Sequence, residues 1–287
     1  METRWMYTTS ENFPELREKS AKTCVIPMGC IEKHGVHLPL GADVIQANRI
    51  AYLASQLETV CVFADFAFGD VPGKVPYTAP AGSITLPLET QMLLLEQLCL
   101  QIRDSGFEKI LVLNGHGGNN SWLAAFTRNL VNRGYDFTFA YAHITLPAPH
   151  RMADAILRGG SGAIPELTKE DEEFLIKHHN ENLFGGHGCL GETSLMMAIE
   201  PDTVKLDRLK AVDGENQHKT DHLSRAGIYY EAWMLNYPNA LSTGEYEGCN
   251  ERIAKAALRF EVERIANIYK VYKEDTVLPE FNKTRTW

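Results

Sequence analysis

The 287-residue sequence has little of several features that would place it in a familiar class. Its 28 basic residues form no stripe and are outnumbered by 37 acidic residues, which argues against a nucleic-acid partner. No stretch approaches the ~18 consecutive apolar residues of a membrane-spanning helix. The first residues lack the basic and apolar regions of a secretory signal. We therefore expect a cytoplasmic protein that acts on a small molecule and binds neither nucleic acid nor membrane.

The six cysteines form no CxxC pair, and two of them, Cys24 and Cys61, lie in apolar runs. This scatter predicts reduced, buried thiols rather than disulfides or a structural metal site. A chain of this length buries a sizeable core without either, so we expect any metal to be catalytic. No G-x-S-x-G elbow occurs, which argues against a serine hydrolase.

Apolar runs alternate with helical patterns along the chain. The runs predict β-strands at residues 23–28, 60–63, 109–113 and 136–143, with a short extended piece at 83–86. Helical spacing predicts helices at residues 43–57, 89–105, 119–133, 168–182, 192–199 and 247–272. The alternation indicates a single α/β domain over residues 1–287 with a mostly parallel sheet. Residues 145–190 carry many prolines and glycines and are expected to form a lid-like excursion.

A first cluster of polar residues follows the strand at 23–28, at the edge where parallel sheets bind ligands. Glu32 and His34 are two residues apart, so in an extended segment their side chains point to the same side. His37 follows, and Asp43 begins the next helix as its natural N-cap. A polar loop with a capping aspartate would also explain this cluster, so it is only suggestive by itself.

A second cluster, NGHGGN from Asn114 to Asn119, follows the strand at 109–113. Its glycines allow backbone N–H groups to face a ligand at the start of a helix. His116 is thereby held at the carboxyl edge of the sheet, beside the first cluster. The cluster lacks the GxGxxG pattern of dinucleotide binders, which argues against a phosphate-binding turn and a nucleotide-binding oxidoreductase. Two clusters at strand ends indicate a functional site.

A third cluster, GGHGCLGETS, contains His187 and Glu192. Glu192 is a favourable first-turn carboxylate in any helix, and His187 taken alone would be a solvated loop histidine. Mixed sets of histidines and carboxylates suit divalent ions such as zinc and manganese. Two such ions joined by a carboxylate can share one hydroxide that is nucleophilic at neutral pH. Together the clusters predict a metal-dependent hydrolase site made of Glu32, His34, Asp43, His116 and Glu192.

These motifs resemble those of the creatininase (creatinine amidohydrolase) family. The resemblance is carried by residues 27–29, 32–43, 114–119 and 188–194, and the final helix is also similar. It implies a three-layer α/β/α sandwich with a mostly parallel central sheet. It also implies one or two divalent ions per chain, with Zn²⁺ preferred over Mn²⁺ or Fe²⁺, and a homo-oligomer, commonly a hexamer.

The resemblance also implies roles for individual residues. Glu32, Asp43 and His116 would hold one ion. His34 and Asp43 would hold a second, so that Asp43 bridges the two. His187 matches a lid histidine that takes part in proton transfer.

The sequence departs from true creatininases at the second motif and in the lid. Gly118 stands where they carry a glutamate ligand, and Gly186 stands where they carry another glutamate. In branches that share the Gly-Gly-Asn form, the glutamate of Glu-Thr-Ser, here Glu192, is the expected replacement. No tryptophan occurs between Trp122 and Trp233, so the aromatic lid that encloses creatinine is not evident. Creatinine itself is therefore not the expected substrate.

The expected reaction is attack of a metal-generated hydroxide on an activated carbonyl of a small, cyclic substrate, with C–N (amide) hydrolysis preferred. C–C hydrolysis of a cyclic diketone such as a keto-inositol, and deformylation of a formamide, use the same attack and stay open. A metal-binding module without catalysis is a further alternative, which a closed coordination shell would favour. The expected catalytic side chains are His187 and Glu192, and the expected substrate-binding residues are His37, Gly117, Gly118 and Asn119.

Overall fold

The fold is seen in a computed structural model that describes residues 1–71, 82–144, 148–181, 186–230, 233–242 and 248–284. Its strands are β1 (Thr23–Met28), β2 (Cys61–Val62), β3 (Lys109–Asn114) and β4 (Thr138–His143). They form a parallel sheet in the order β2-β1-β3-β4. The strand predictions are confirmed, although β2 is shorter than predicted. Within the predicted extended piece at 83–86, only Ile84 makes a bridge, which is antiparallel and pairs it with Ile31.

The two central strands are covered on both faces, which explains their continuous apolar sequences. Every residue of β1 and β3 is buried. Val25 pairs with Leu111 and packs into one core, whereas Ile26 pairs with Val112 and packs into another. Because successive side chains of a strand point to opposite faces, the sheet separates two cores.

Helices form a layer on each face of the sheet. In chain order they are α1 (Phe13–Lys19), α2 (Ala42–Leu57), α3 (Leu88–Asp104), α4 (Asn120–Asn132), α5 (Ala148–Gly159), α6 (Lys169–Asn180), α7 (Leu190–Ile199), α8 (Asp221–Arg225), α9 (Trp233–Asn236), α10 (Glu251–Glu274) and α11 (Val277–Lys283). Helices α1, α3 and α4 pack on one face. Helices α2, α5, α6, α7 and α10 pack on the other. The chain is therefore a three-layer α/β/α sandwich, as the resemblance implied.

The predicted helices α2, α3, α4, α6 and α7 agree closely with the structure. The last predicted helix, at 247–272, corresponds to α10, and residue 247 lies outside the described residues. The N-cap assignment of Asp43 is wrong. Helix α2 begins at Ala42 with Gly41 as its N-cap, so Asp43 lies inside the first turn. Its carboxylate faces two histidines instead of the N–H groups of its own helix.

The expected lid-like excursion at 145–190 contains α5 and α6 in its described part. Helix α5 buries Met152 and Ile156 in the core of its layer. Helix α6 begins with a capping box in which Thr168 and Asp171 each accept from the other's backbone N–H. Residues 145–147 and 182–185 lie outside the described residues, and the role of this segment as a lid stays a prediction.

Two further sequence expectations concern the cysteines and membrane spans. All six cysteines lie in described residues, and each is buried and outside any disulfide, as predicted. Across the described ranges, no helix combines the length and apolarity needed to cross a membrane.

Candidate metal centre

The predicted ligands come together at the carboxyl edge of the sheet, beyond the ends of β1 and β3. Glu32 and His34 follow β1, and His116 lies in the turn after β3. Asp43 and Glu192 lie in the first turns of α2 and α7, two helices that pack against each other. None of the five residues is more than 8% exposed. The fold thus gathers in one buried cluster residues that are up to 160 positions apart in the sequence.

Asp43 lies at the middle of this cluster, and its two oxygens face different histidines. Oδ1 lies 3.1 Å from Nε2 of His34, and Oδ2 lies 2.9 Å from Nδ1 of His116. Its position in the first turn of α2 favours the negative charge through the helix dipole. A carboxylate placed in this way has the geometry to bridge two cations.

One set of ligand atoms surrounds Oδ2 of Asp43. Oε1 of Glu32 lies 3.0 Å from Nδ1 of His116, and Sγ of Cys30 lies 3.0 Å from Oδ2 of Asp43. One ligand atom from each of these four residues lies within 4.8 Å of all the others. This first ligand set contains the three residues expected to hold one ion, together with a thiol.

A second set of ligand atoms surrounds Oδ1 of Asp43. Nε2 of His34 lies 3.7 Å from Oε2 of Glu192, and the ligand atoms of these two residues and Asp43 lie within 4.8 Å of one another. The backbone N–H of Gly188 donates to Oε2 of Glu192 at 2.6 Å and so orients that carboxylate. The second ligand set therefore includes Glu192, the residue predicted from the sequence to replace the glutamate ligand missing at position 118.

Backbone carbonyls orient both histidine rings. Nδ1 of His34 donates to the carbonyl oxygen of Glu32 at 3.2 Å, and Nε2 of His116 donates to the carbonyl oxygen of Asp70 at 2.7 Å. The opposite ring nitrogens, Nε2 of His34 and Nδ1 of His116, face the carboxylates and donate to them when protonated; without that proton they would present lone pairs to a cation. Metal-bound histidines are held in the same way, with the second nitrogen donating to a carbonyl or carboxylate.

Three buried carboxylates, those of Glu32, Asp43 and Glu192, determine the charge of the cluster. Within the described residues their ion pairs are all with histidines. Burial alone would lower the pKa of His34, but Asp43 and Glu192 raise it to about 10. Burial raises the pKa of Glu192 to about 7, against the opposing effect of His34. The cluster therefore attracts positive charge, either as protons on the histidines or as a cation between them.

The surroundings of Oε1 of Glu32 test whether these residues fit a metal ion. Oε1 lies 3.0 Å from Nδ1 of His116 but outside hydrogen-bond geometry with the described residues, although Glu32 is only 7% exposed. Leaving a buried polar group unsatisfied costs about 1–3 kcal/mol, and more when it is charged. A cation in the first ligand set would remove that cost. Nitrogen, oxygen and sulfur donors also suit Zn²⁺ and related ions, so the residues fit a divalent metal.

His187 covers the second ligand set. Its ring stacks on that of His34 with centroids 4.1 Å apart. Nε2 of His187 donates to the carbonyl oxygen of Lys33 at 2.6 Å, so Nδ1 carries the lone pair and lies 3.6 Å from Oε1 of Glu32. Burial and the neighbouring His34 lower the pKa of His187 to about 4. The ring is therefore neutral near neutral pH and turns an acceptor nitrogen toward the cluster.

The sequence profile of one protein family matches nearly the whole chain. The Creatininase profile, described as creatinine amidohydrolase, matches residues 6–266. The chain belongs to the creatininase family. Members of this family are hydrolases, and solved creatininase structures include a Zn–Zn type and a manganese form.

Solved structures of creatininase-like proteins have the same fold. A candidate creatinine amidohydrolase from Bacteroides fragilis NCTC 9343 is 22% identical, with a TM-score of 0.70 over 96% of this chain and 98% of its own. A creatininase mutant of Zn–Zn type is 18% identical, with a TM-score of 0.69 over 96% of this chain and 100% of its own. At these identities the similarity shows the fold alone.

A curated relative has a different named activity. The 3-dehydro-scyllo-inosose hydrolase of Thermotoga maritima is 28% identical over 116 residues. The match covers 39% of this chain and 36% of the relative, so the chain spans about a third of that relative's length. The inosose hydrolase is therefore a distant relative of this creatininase-family chain.

The predicted substrate-binding residues have different surroundings. Gly117 is exposed, and no described atom lies within 4 Å of a Cβ placed on it. His37 is 1% exposed, and its Nε2 lies 3.0 Å from Oγ1 of Thr193. Asn119 is fully buried, and its side-chain oxygen accepts from the backbone N–H of Asp70 at 2.8 Å. Gly117 is thus the exposed residue of this set, and the substrate-binding roles stay predictions.

Close contacts surround Gly118 and Gly186, the two glycines at which the resemblance implies glutamates in true creatininases. A Cβ on Gly118 would lie 2.5 Å from the carbonyl oxygen of Asp70 and 2.5 Å from Nε2 of His116. Gly186 has a φ of +121°, and a Cβ there would collide with the hydroxyl of Ser242. A side chain at either position would therefore require the neighbouring groups to move.

Gly186, Gly188 and Gly191 have the GxGxxG spacing of a dinucleotide-binding turn. Such a turn follows a strand, whereas the nearest described element before these glycines is helix α6. The backbone N–H of Gly188 donates to the carboxylate of Glu192. The spacing therefore does not indicate a nucleotide site in this chain.

Two residues beside the cluster were not predicted from the sequence. Cys30 could have been found, because it precedes Glu32 by the same two residues that separate Glu32 from His34. In an extended segment this spacing points all three side chains to one side. Trp233 packs edge-on against His187 with ring centroids 5.1 Å apart. No pattern around residue 233 indicates that this tryptophan would form a side wall of the site.

Proposed function

We propose that this protein is a metal-dependent hydrolase that attacks an activated carbonyl of a small, cyclic substrate. The observation that supports this most strongly is the carboxylate of Asp43, whose two oxygens belong to two different ligand sets. Membership of the creatininase family supports hydrolysis as the reaction class. The proposed metal is Zn²⁺, with Mn²⁺ or Fe²⁺ as alternatives, and the two ligand sets favour two ions per chain.

The side chains have distinct roles in this proposal. A divalent ion bound here lowers the pKa of a water molecule and polarises a carbonyl oxygen. Glu192 completes the second ligand set, which is the basis of its proposed part in catalysis. The first ligand set would hold one ion through Glu32, Asp43 and His116, and the second would hold another through His34, Asp43 and Glu192.

His187 is the proposed proton-transfer residue. Because its Nε2 donates a hydrogen bond to the carbonyl oxygen of Lys33, its Nδ1 is the nitrogen available to the cluster. Nδ1 accepts the proton of the attacking water and returns it to the leaving group. Trp233 also contacts the ring of His187, and this contact limits the ring's freedom. The accessible face of Gly117 is the proposed side from which substrate enters.

The first candidate reaction is hydrolysis of a C–N bond in a cyclic amide. It is supported by the family's description as creatinine amidohydrolase. Creatinine itself is not the proposed substrate, because Gly118 and Gly186 replace the glutamates of true creatininases. Deformylation of a formamide is a variant of the same C–N chemistry.

The second candidate reaction is hydrolysis of a C–C bond in a cyclic diketone. It is supported by the similarity to the Thermotoga maritima inosose hydrolase. Water attacks one carbonyl, and the electron pair of the broken C–C bond is accepted by the carbon beside the second carbonyl. Both candidate reactions begin with attack on a carbonyl, so the same two ligand sets serve either one.

Product analysis separates these reactions. Metal-loaded protein is incubated with a set of lactams, formamides and keto-inositols, and the products are identified by mass spectrometry. Opening a lactam creates an amine and a carboxylate, whereas opening a cyclic diketone creates a carboxylate without an amine; a formamide releases formate. Turnover that disappears on metal removal and returns on reloading supports the proposal. Full turnover by metal-free protein contradicts it.

A metal-binding module without catalysis is the rival class. It would bind the same ions and give no turnover with any carbonyl substrate. We propose an open shell because Gly117, next to His116, is exposed and a Cβ on it would meet no described atom within 4 Å. Water exchange at the bound ions, measured by relaxation of solvent protons with Mn²⁺-loaded protein, distinguishes an open shell from a closed one.

Assembly and location are further parts of the proposal. A homo-oligomer, a hexamer by the family resemblance, predicts a mass in light scattering that is a multiple of the chain mass. The mass of a single chain would contradict it. The six cysteines outside disulfides are in keeping with a cytoplasmic location.

A further inference from the structure

We propose that Sγ of Cys30 is a fourth ligand of the first ligand set, so that this protein binds one of its ions partly through a thiolate. The inference rests on the proposed metal centre and adds a donor that the family resemblance did not supply. Cys30 precedes Glu32 by two residues, and the function proposed above gives it no role.

The position of the thiol is the first argument. Cys30 is fully buried, and its Sγ lies 3.0 Å from Oδ2 of Asp43. The same Oδ2 lies 2.9 Å from Nδ1 of His116. With Glu32, these atoms form a group in which all four lie within 4.8 Å of one another. Ligand atoms of a tetrahedral zinc site are about 3.4 Å apart, given bond lengths of roughly 2.0–2.3 Å, so the group has the size of such a site.

The unsatisfied oxygen of Glu32 is the second argument. Cys30 donates to Asp43, yet Oε1 of Glu32, which lies 3.0 Å from Nδ1 of His116, is outside hydrogen-bond geometry with the described residues. Hydrogen bonding among these residues therefore leaves a nine-tenths buried carboxylate oxygen aimed into the group. A cation at the centre would satisfy Glu32 and Asp43 together and would face Sγ of Cys30.

The chemistry of the thiol gives the consequence. On binding, a bond forms between sulfur and the metal, the S–H bond breaks, and the proton goes to solvent. Thiolate is a soft ligand that favours Zn²⁺ and Co²⁺, whereas Mn²⁺ favours oxygen donors. A thiolate in the first ligand set should therefore make that set discriminate against Mn²⁺. The second set, with one histidine and two carboxylates, should discriminate less.

Cobalt substitution tests the inference directly. Protein freed of metal is titrated with Co²⁺, and its absorption spectrum is compared with those of the Cys30→Ser and Cys30→Ala variants. A thiolate ligand gives a near-ultraviolet sulfur-to-cobalt charge-transfer band, whereas visible d–d bands report Co²⁺ bound by any ligands. We expect the charge-transfer band in the native protein and its absence in both variants. Cys99→Ala, which removes a buried thiol in α3, is the matched control and should keep the band.

Metal competition gives a second readout. The ratio of Zn²⁺ to Mn²⁺ affinity at the first ligand set should fall at least about tenfold in Cys30→Ser, the size of effect seen for changes around metal ligands. Serine keeps a hydroxyl donor for Oδ2 of Asp43. Unchanged selectivity in Cys30→Ser, together with a native spectrum lacking the charge-transfer band, would show that Cys30 is only a hydrogen-bond donor. That result overturns the inference and leaves the metal centre intact. Absence of both the charge-transfer and the d–d bands would instead overturn the metal centre itself.

Discussion

Gly118 and Asp70 approach so closely that a Cβ on residue 118 would lie 2.5 Å from the carbonyl oxygen of Asp70. That carbonyl oxygen accepts the hydrogen bond from Nε2 of His116 at 2.7 Å. The glycine therefore leaves room for the group that orients a proposed metal ligand. The contact links two features of this chain, namely the glycine at 118 and the ring orientation of His116.

Replacement of Gly118 by alanine should lower both stability and metal affinity. The added Cβ must displace either the carbonyl of Asp70 or the ring of His116, and such overpacking costs about 1–3 kcal/mol. Denaturant unfolding measures the first effect, and zinc titration measures the second. Gly117→Ala is the matched control, since a Cβ there meets no described atom within 4 Å. If the two variants had the same free energy of unfolding and the same zinc affinity, the close contact at 118 would contribute to neither.

Replacement of Glu192 by glutamine should remove one ion and leave the other. Glutamine keeps an acceptor for the N–H of Gly188 but loses the charge that the second ligand set requires. We expect the second ion to bind at least about 100-fold more weakly, since even residues around a ligand change affinity by 10–100-fold. Metal analysis after gel filtration gives the stoichiometry. Glu200→Gln, at the exposed end of α7, should retain both ions. Two retained ions in Glu192→Gln would exclude this residue as a ligand.

Replacement of His187 by glutamine should reduce turnover without removing metal. Loss of a positioned proton acceptor typically lowers a rate about 100- to 10,000-fold. The measurement is kcat on the substrate found in the screen, with metal content determined on the same samples. His218→Gln changes an exposed histidine, 68% exposed, and should leave kcat unchanged. An ion lost from His187→Gln would make this histidine a ligand, which its distance of 3.6 Å from Glu32 also allows.

The ion pair of Asp171 and Arg252 should make stability depend on acid pH. Burial would raise the pKa of Asp171, but hydrogen bonds led by that from Arg252 lower it from 3.8 to about 2. Because the folded-state pKa lies below the unfolded value, this contribution is present above pH 3.8 and is lost as the pH falls toward 2. Asp171→Asn should lower the free energy of unfolding at neutral pH by about 1–2 kcal/mol. This range is below the value that the pKa shift alone would give, because the half-exposed Arg252 lets solvent screen the ion pair.

Unfolding of the native protein and of Asp171→Asn across this pH range checks the dependence on Asp171. The difference between the two should shrink as the pH falls toward 2. Glu173→Gln, an exposed change on the same helix, is the control and should show no such trend. A difference that stays constant with pH would mean that the asparagine acts through packing and not through charge.

The strands and long helices could be predicted from the sequence because burial leaves a local pattern there. The runs at 23–28 and 109–113 are apolar at successive positions, as strands covered on both faces must be. The capping box of helix α6 is recognisable in the sequence as Thr168 followed three residues later by Asp171. Helix α5 was not predicted, because the prolines and glycines within and around it resemble a loop. Pro149 is in fact the second residue of the helix, where proline is tolerated.

The cluster at the sheet edge could be predicted only in part. Glu32, His34 and His116 follow strands, and parallel strands bring such positions to one edge. The position of Asp43 in its helix was misjudged by two residues, because the N-cap preference of aspartate competes with its use as a ligand. Trp233 reaches the cluster from a segment with weak periodicity, so its position depends on tertiary packing that no local pattern records.

X-ray diffraction at the zinc absorption edge from crystals of Zn²⁺-loaded protein tests the central proposal most directly. The account predicts two anomalous peaks, one on each side of the Asp43 carboxylate. One peak should lie at bonding distance, about 2.0–2.3 Å, from Glu32 and His116, and the other from His34 and Glu192. A single peak that Asp43 does not contact, or no peak in this cluster, would contradict the shared carboxylate and the hydrolase built on it.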